Sequence, residues 1–192
     1  MTKDRGSKLS IADLVLLSLI AERPMHGYEA NAELERRQVR DWAGISRPQI
    51  YYSLDKLAGA GLLRQSDSKA RGDGPERQVF SATRSGTKAL ADALERQDWC
   101  TQRDKPPFLT WMALSWQARK GVFARQLARR ENFLAQEIAQ EKKMLRAIRK
   151  EVGHPYHEAV WMVAFVISRF ENELRWLARV KREMRQRAPA KR

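Results

Sequence analysis

The chain holds 192 residues, a length that suits one domain or two small ones, and its 43% hydrophobic content is too high for wholesale disorder. Its single cysteine, Cys100, cannot close an internal disulfide, and the apolar runs over about 9–21 and 159–168 are too short to span a bilayer, so a soluble cytoplasmic protein without a membrane segment is expected. The net charge of +14 favours an anionic partner, yet it is uneven: residues 1–98 carry +2 and residues 99–192 carry +12.

Ser10, followed three residues later by Asp13, has the spacing of a capping box and opens a nearly continuous apolar helix over about 10–22, stopped by Arg23-Pro24. A second helix starts at His26-Gly27-Tyr28-Glu29 and runs to about Gln38, expected to bury Tyr28, Ala32 and Leu34. Residues 39–45 read as a connection. Ser46 is a fitting N-cap for a third helix over about 47–60, with Pro48 in its first turn and Gly61 at its left-handed end. Two short strands follow, 62–65 and 78–83, joined by the Gly-, Asp- and Pro-rich segment Ser66–Arg77 as a hairpin with a long tip. Thr83 caps a further helix over about 84–98.

Pro106-Pro107 marks the domain boundary. Beyond it lie a short helix over about 108–115 and a long basic one over 117–151, whose apolar residues recur at intervals of four and seven. Gly153 and Pro155 break it, and a last helix covers about 156–186. At about 1.5 Å per residue each long helix extends roughly 45–50 Å, too far to pack on the first half alone, so the two pair with each other, with a second chain, or both.

Three helices, a hairpin and a helix form the plan of a winged helix-turn-helix, in which the third helix enters the major groove and the hairpin reaches the flanking backbone. The fold class is therefore mainly α with a small β-hairpin: a winged helix-turn-helix DNA-binding domain over 1–98 and a long-helix dimerisation and effector domain over 107–192. On a helical wheel Ile50, Leu54 and Leu57 share one side of the third helix, with Pro48 and Tyr52 nearly opposite and Gln49 and Lys56 beside these. Gln49 and Tyr52 are expected to read base edges in double-stranded DNA, and Arg47, Lys56 and the hairpin-tip cations Lys69, Arg71 and Arg77 to hold phosphates. Tyr51 either packs at the helix edge or bonds a phosphate. Tyr28 is expected to pack, with its hydroxyl reaching a phosphate.

The runs LVLLSLIAERPMHGYEANAEL, IYYSLDKLAGAGLL and VFSATRSGTKAL occur in that order over about residues 9–98. They resemble the PadR family of bacterial transcriptional regulators: the His26-Gly27-Tyr28-Glu29 turn, the Ile50-Tyr51-x-x-Leu54-x-x-Leu57 helix followed by Gly61-Leu62, and Phe80-x-x-Thr83-x-x-Gly86 after the wing. The resemblance implies a homodimer held by C-terminal helices that represses a promoter, often until a small aromatic or amphipathic compound binds. This chain departs from the family at Arg47-Pro48-Gln49, where Gly or Ala is common, so a different operator is expected.

Trp99, Phe108, Trp111, Trp116, Trp161 and Phe165 crowd the boundary and the last helix; they form either a core and dimer seam or a site for a flat aromatic effector. His154-Pro155-Tyr156-His157 lacks a third placed ligand and reads as a turn, so no metal and no cofactor is expected. No nucleophile–base pair or phosphate-cradling glycine loop points to an enzyme. The expected function is a ligand-responsive, sequence-specific repressor binding a pseudo-palindromic operator as a homodimer. The alternative is an architectural or RNA-binding protein that uses the basic C-terminal helices.

Overall fold

A computed structural model describes residues 8–67 and 78–186, divided into two compact units, 1–103 and 104–192. In the first unit α1 (Ile11–Glu22) starts with the capping box: the Ser10 amide donates to the Asp13 carboxylate at 2.7 Å and the Asp13 amide to the Ser10 hydroxyl at 3.2 Å. Leu16, Leu17, Leu19 and Ile20 of α1 are buried on several sides at once, which makes this helix the centre of the unit.

Around it lie β1 (Met25–His26), α2 (Gly27–Arg36), α3 (Val39–Ala43), α4 (Arg47–Gly59), β2 (Leu63–Asp67), β3 (Gln78–Ala82), α5 (Arg84–Leu94) and α6 (Asp98–Thr101). Two elements depart from the sequence expectation. The connection 39–45 contains a helical turn, α3, which buries Val39 between Gln38 and Gly44, both left-handed with φ of 51° and 63°. Helix α4 is therefore fourth along the chain. The sheet gains a third strand: Met25 pairs with Phe80 and His26 with Val79, giving the antiparallel order β1-β3-β2. A two-residue strand has no alternation to detect; only its partner defines it.

The start of α5 locks onto the end of α4. The Thr83 hydroxyl donates to the carbonyl of Gly61 at 2.8 Å and accepts from the Gly86 amide at 3.0 Å, while the Thr83 amide donates to the Leu62 carbonyl at 3.1 Å. A Cβ on Gly86 would stand 2.1 Å from that Leu62 oxygen, so the Thr-x-x-Gly spacing is a steric requirement.

The second unit is built on α8 (Val122–Val152) and α9 (Glu158–Glu183), which run antiparallel about the turn at Gly153, with α7 (Pro107–Leu114) against one end. Leu127, Leu134 and Leu177 are fully buried, ringed by Phe108, Trp111, Phe123, Phe170 and Trp176. Arg130 grips Glu173 with two bonds of 2.7 and 2.9 Å, Lys142 pairs with Glu171 at 2.7 Å, and Lys181 pairs with Glu131, fixing the register along the hairpin. Among the described residues no helix is long and apolar enough to cross a membrane, and no group of three His, Cys, Asp or Glu is placed to hold a metal.

Candidate nucleic-acid interface

Helix α4 is held from one side. Ile50, Leu54 and Leu57 are each at most 1% exposed, against α1 and the sheet, whereas Arg47, Pro48, Tyr51, Tyr52 and Asp55 face solvent. Fully burying an Ile or Leu contributes about 1.5–3 kcal/mol, so these three fix the helix without help from its outer residues. Tyr52 is 70% exposed, against 39% for Tyr51.

Two residues expected on that face have other roles. Lys56 turns toward α1: its Nζ lies 2.6 Å from Asp13 Oδ2, a carboxylate with no residual exposure. A lysine at the edge of the outer stripe is long enough to reach inward, and an otherwise unpaired buried carboxylate draws it there. Burial pushes the Asp13 carboxyl up, but the Lys56 and Ser10 hydrogen bonds outweigh it and hold it below the ordinary aspartate value. Gln49 is exposed, but its Oε1 accepts from the Ser46 amide at 2.8 Å and from the Ser46 hydroxyl at 2.9 Å. Its amide carbonyl caps the helix start instead of pointing outward.

Tyr28, expected to pack, is instead 55% exposed and stacks on His26 with ring centroids 5.3 Å apart; α2 buries Ala30 and Leu34 in place of Tyr28 and Ala32. Tyr28 and Tyr51 line an open cleft of about 250 Å³ beside α4, together with Gly27, Leu54, Asp55, Gln78 and Phe80. Gly27 makes the close approach possible: a Cβ there would meet Leu54 at 3.3 Å and Tyr51 at 3.5 Å. Tyr51 thus stands at the helix edge, half in the cleft.

The cations sort in the same way. Arg37 bridges Glu22 at 2.6 Å and Glu33 at 2.8 Å; Arg36 pairs with Glu33, Arg40 with Glu35, and Lys8 with Asp98. The two guanidiniums pull the Glu33 carboxyl down to about 2. Arg47 on α4 and Arg64 on β2 are exposed and carry no ion pair to another described residue; Arg64 escaped the sequence reading, although it stands next to a buried strand residue, Leu63. Lys69, Arg71 and Arg77 lie outside the described residues.

Residues 16–92 match the family model described as the Transcriptional regulator PadR-like family. Over that stretch, less than half of the chain, the sequence is similar to that family. Solved structures similar to the chain include Bacillus subtilis PadR in complex with operator DNA (21% identity, 90% of this chain and 96% of that one, TM-score 0.63). PadR of the same organism in complex with p-coumaric acid is also similar (20% identity, 93% and 97%, TM-score 0.65), as is a PadR-like transcriptional regulator of Bacillus cereus (15%, 87% and 98%, TM-score 0.57). No curated protein matches the chain in sequence. The chain thus shares its fold with these structures over most of its length.

The six aromatic residues considered for an effector are divided between the two units. Trp99 belongs to the first unit, where its indole N–H donates to the Ala93 carbonyl at 2.7 Å and Arg96 lies over its ring. Trp116, Trp161 and Phe165 are exposed. Within the second unit Phe108 and Trp111 stack at 5.3 Å, and with Gln126, Arg129 and Arg130 they line an open cleft of about 250 Å³. Arg130 is already committed to Glu173, whereas Arg129 is exposed without an ion pair to a described residue.

Proposed function

We propose that this PadR-like protein is a sequence-specific DNA-binding repressor that acts as a homodimer on a pseudo-palindromic operator, with the first unit holding DNA and the second holding the dimer. The observation that carries the reading is the outward flank of α4: exposed, structurally uncommitted, and rigidly backed by Ile50, Leu54 and Leu57. A helix so presented fits the major groove, and two copies would enter successive grooves about 34 Å apart. In this reading Tyr52 faces bases, Arg47 and the Tyr28 and Tyr51 hydroxyls face the backbone, and Arg64, Lys69, Arg71 and Arg77 supply cations from the wing. Gln49 contributes only by exchanging its cap for a base. The operator complex of the similar Bacillus subtilis PadR supports the assignment.

Dimerisation is supported by the apolar flank of α9, where Trp161 and Phe165 stand one turn apart and exposed, the latter at 63%. An aromatic carboxylic acid is the effector class that suits the Phe108–Trp111 cleft, with Arg129 for the carboxylate; the p-coumaric acid complex of the similar PadR supports this. The test is footprinting of full-length protein on the DNA upstream of its own gene, with and without p-coumaric acid, against excess unrelated duplex and RNA. A footprint that survives competitor is expected. Equal loss to any polyanion would favour the rival reading, an architectural or RNA-binding protein.

A further inference from the structure

At 100° per residue, Pro48, Tyr52 and Gly59 lie within about 30° of the direction opposite Ile50, Leu54 and Leu57, with Asp55 about 45° to one side and Lys56 about 55° to the other. Pro48 has no side-chain polar atom, and the space around Gly59 is open. With Lys56 turned inward to Asp13, Asp55 is the charged group nearest the middle of the face that a groove would meet. Its situation differs from that of most acids in the unit, Glu95 at the end of α5 being another exposed one without a close partner among the described residues. Asp13, Glu22, Glu33, Glu35, Asp92 and Asp98 each have a cationic partner, and Glu29 accepts from the His26 amide. Asp55 is exposed, has no such partner among the described residues, and sits at the lip of the cleft that carries the Tyr28 and Tyr51 rings.

A carboxylate only accepts hydrogen bonds. In the major groove it is repelled by the phosphates on both sides and by the acceptor edges of guanine and thymine, while adenine sets an acceptor, N7, beside its amine. Cytosine offers its N4 amine as a donor with no acceptor of its own at that edge. We propose that Asp55 is a specificity-determining residue of this protein, accepting a hydrogen bond from a cytosine amine in each half-site and, where no such amine is present, weakening attachment to arbitrary duplex. The inference rests on the reading of α4 as the groove-entering helix.

The experiment is selection of binding sites from a randomised duplex library by the full-length wild type, Asp55→Ala and Asp55→Asn, each first checked for an unchanged thermal melt. The wild type selects cytosine at one position per half-site. Asp55→Ala loses that preference, roughly ten-fold at that position, and binds poly(dA-dT) duplex more tightly than the wild type. Asp55→Asn shifts the same position toward adenine, whose N6 and N7 suit an amide. Identical preferences for all three proteins overturn the role of Asp55 and leave the DNA-binding reading intact. A wild type that selects nothing overturns both.

Discussion

Replacing Lys56 by methionine keeps the side-chain length and removes its charge. In the wild type Nζ lies 2.6 Å from an Asp13 carboxylate that is completely buried, while the lysine side chain itself is 28% exposed. Breaking a fully buried pair by removing one partner costs about 3–5 kcal/mol; here the lysine end is open to solvent, which lowers the expectation to roughly 2–3 kcal/mol. For a unit of this size that is a fall in melting temperature of about 10–20 °C. Asp13→Asn should cost less, about 1–2 kcal/mol, because the released lysine can turn to water whereas the stranded carboxylate cannot. The Asp13 carboxyl is held below its ordinary value of 3.8 in the folded state, so its contribution is full above that pH and lost as pH falls through the depressed value. The stability gap between wild type and Asp13→Asn should accordingly close on acidification below about pH 4, followed by urea denaturation. Because the ammonium is spent inside the protein, Lys56→Met should leave the salt dependence of DNA binding unchanged. An unaltered melt together with a shallower salt slope would refute the inward placement and return Lys56 to the DNA.

The other expectations are as direct. Gly86→Ala drives a methyl carbon to 2.1 Å from the Leu62 carbonyl oxygen and should destabilise the first unit by more than about 3 kcal/mol or prevent its folding, whereas Gly59→Ala, in open space, should stabilise by about 0.5 kcal/mol; chemical denaturation separates the two. Tyr52→Ala removes an exposed ring, so stability should stay within about 0.5 kcal/mol while operator affinity measured by gel shift falls roughly ten-fold. Leu134→Ala, at the fully buried seam of α8 and α9, should cost about 2–5 kcal/mol by calorimetry of the second unit's transition. Trp161→Glu with Phe165→Glu should leave that transition nearly in place and reduce the mass seen by light scattering to one chain.

Local chemistry was legible in the sequence wherever its partners lay close by. The Ser10–Asp13 box, the narrow apolar side of α4 and the Thr83–Gly86 cap all act within a turn or two of themselves, and each could be read before any coordinates. Gln49 was open to the same reading: Ser46 and Gln49 have the S-x-x-Q spacing of a capping box, but a polar residue near a recognition helix invites a functional explanation first. Lys56 could not have been placed this way, because its partner lies 43 residues away and only tertiary packing brings α1 beneath it. The same holds for β1, defined by a strand more than fifty residues downstream, and for Trp99, Phe108, Trp111 and Trp116, whose closeness in sequence to a boundary said nothing about which unit each would join.

The residues that keep α4 in place and the residues it shows to the outside are almost disjoint sets. Pro48, Tyr52, Asp55 and Gly59 could all be rewritten without touching the anchoring leucines, the cap at Ser46 or the lysine tether to α1. Such a scaffold behaves like a key blank: its teeth can be recut while the bow stays the same. Drift to a new control sequence, or deliberate retargeting in the laboratory, should therefore proceed through these four positions at little risk to the integrity of the protein.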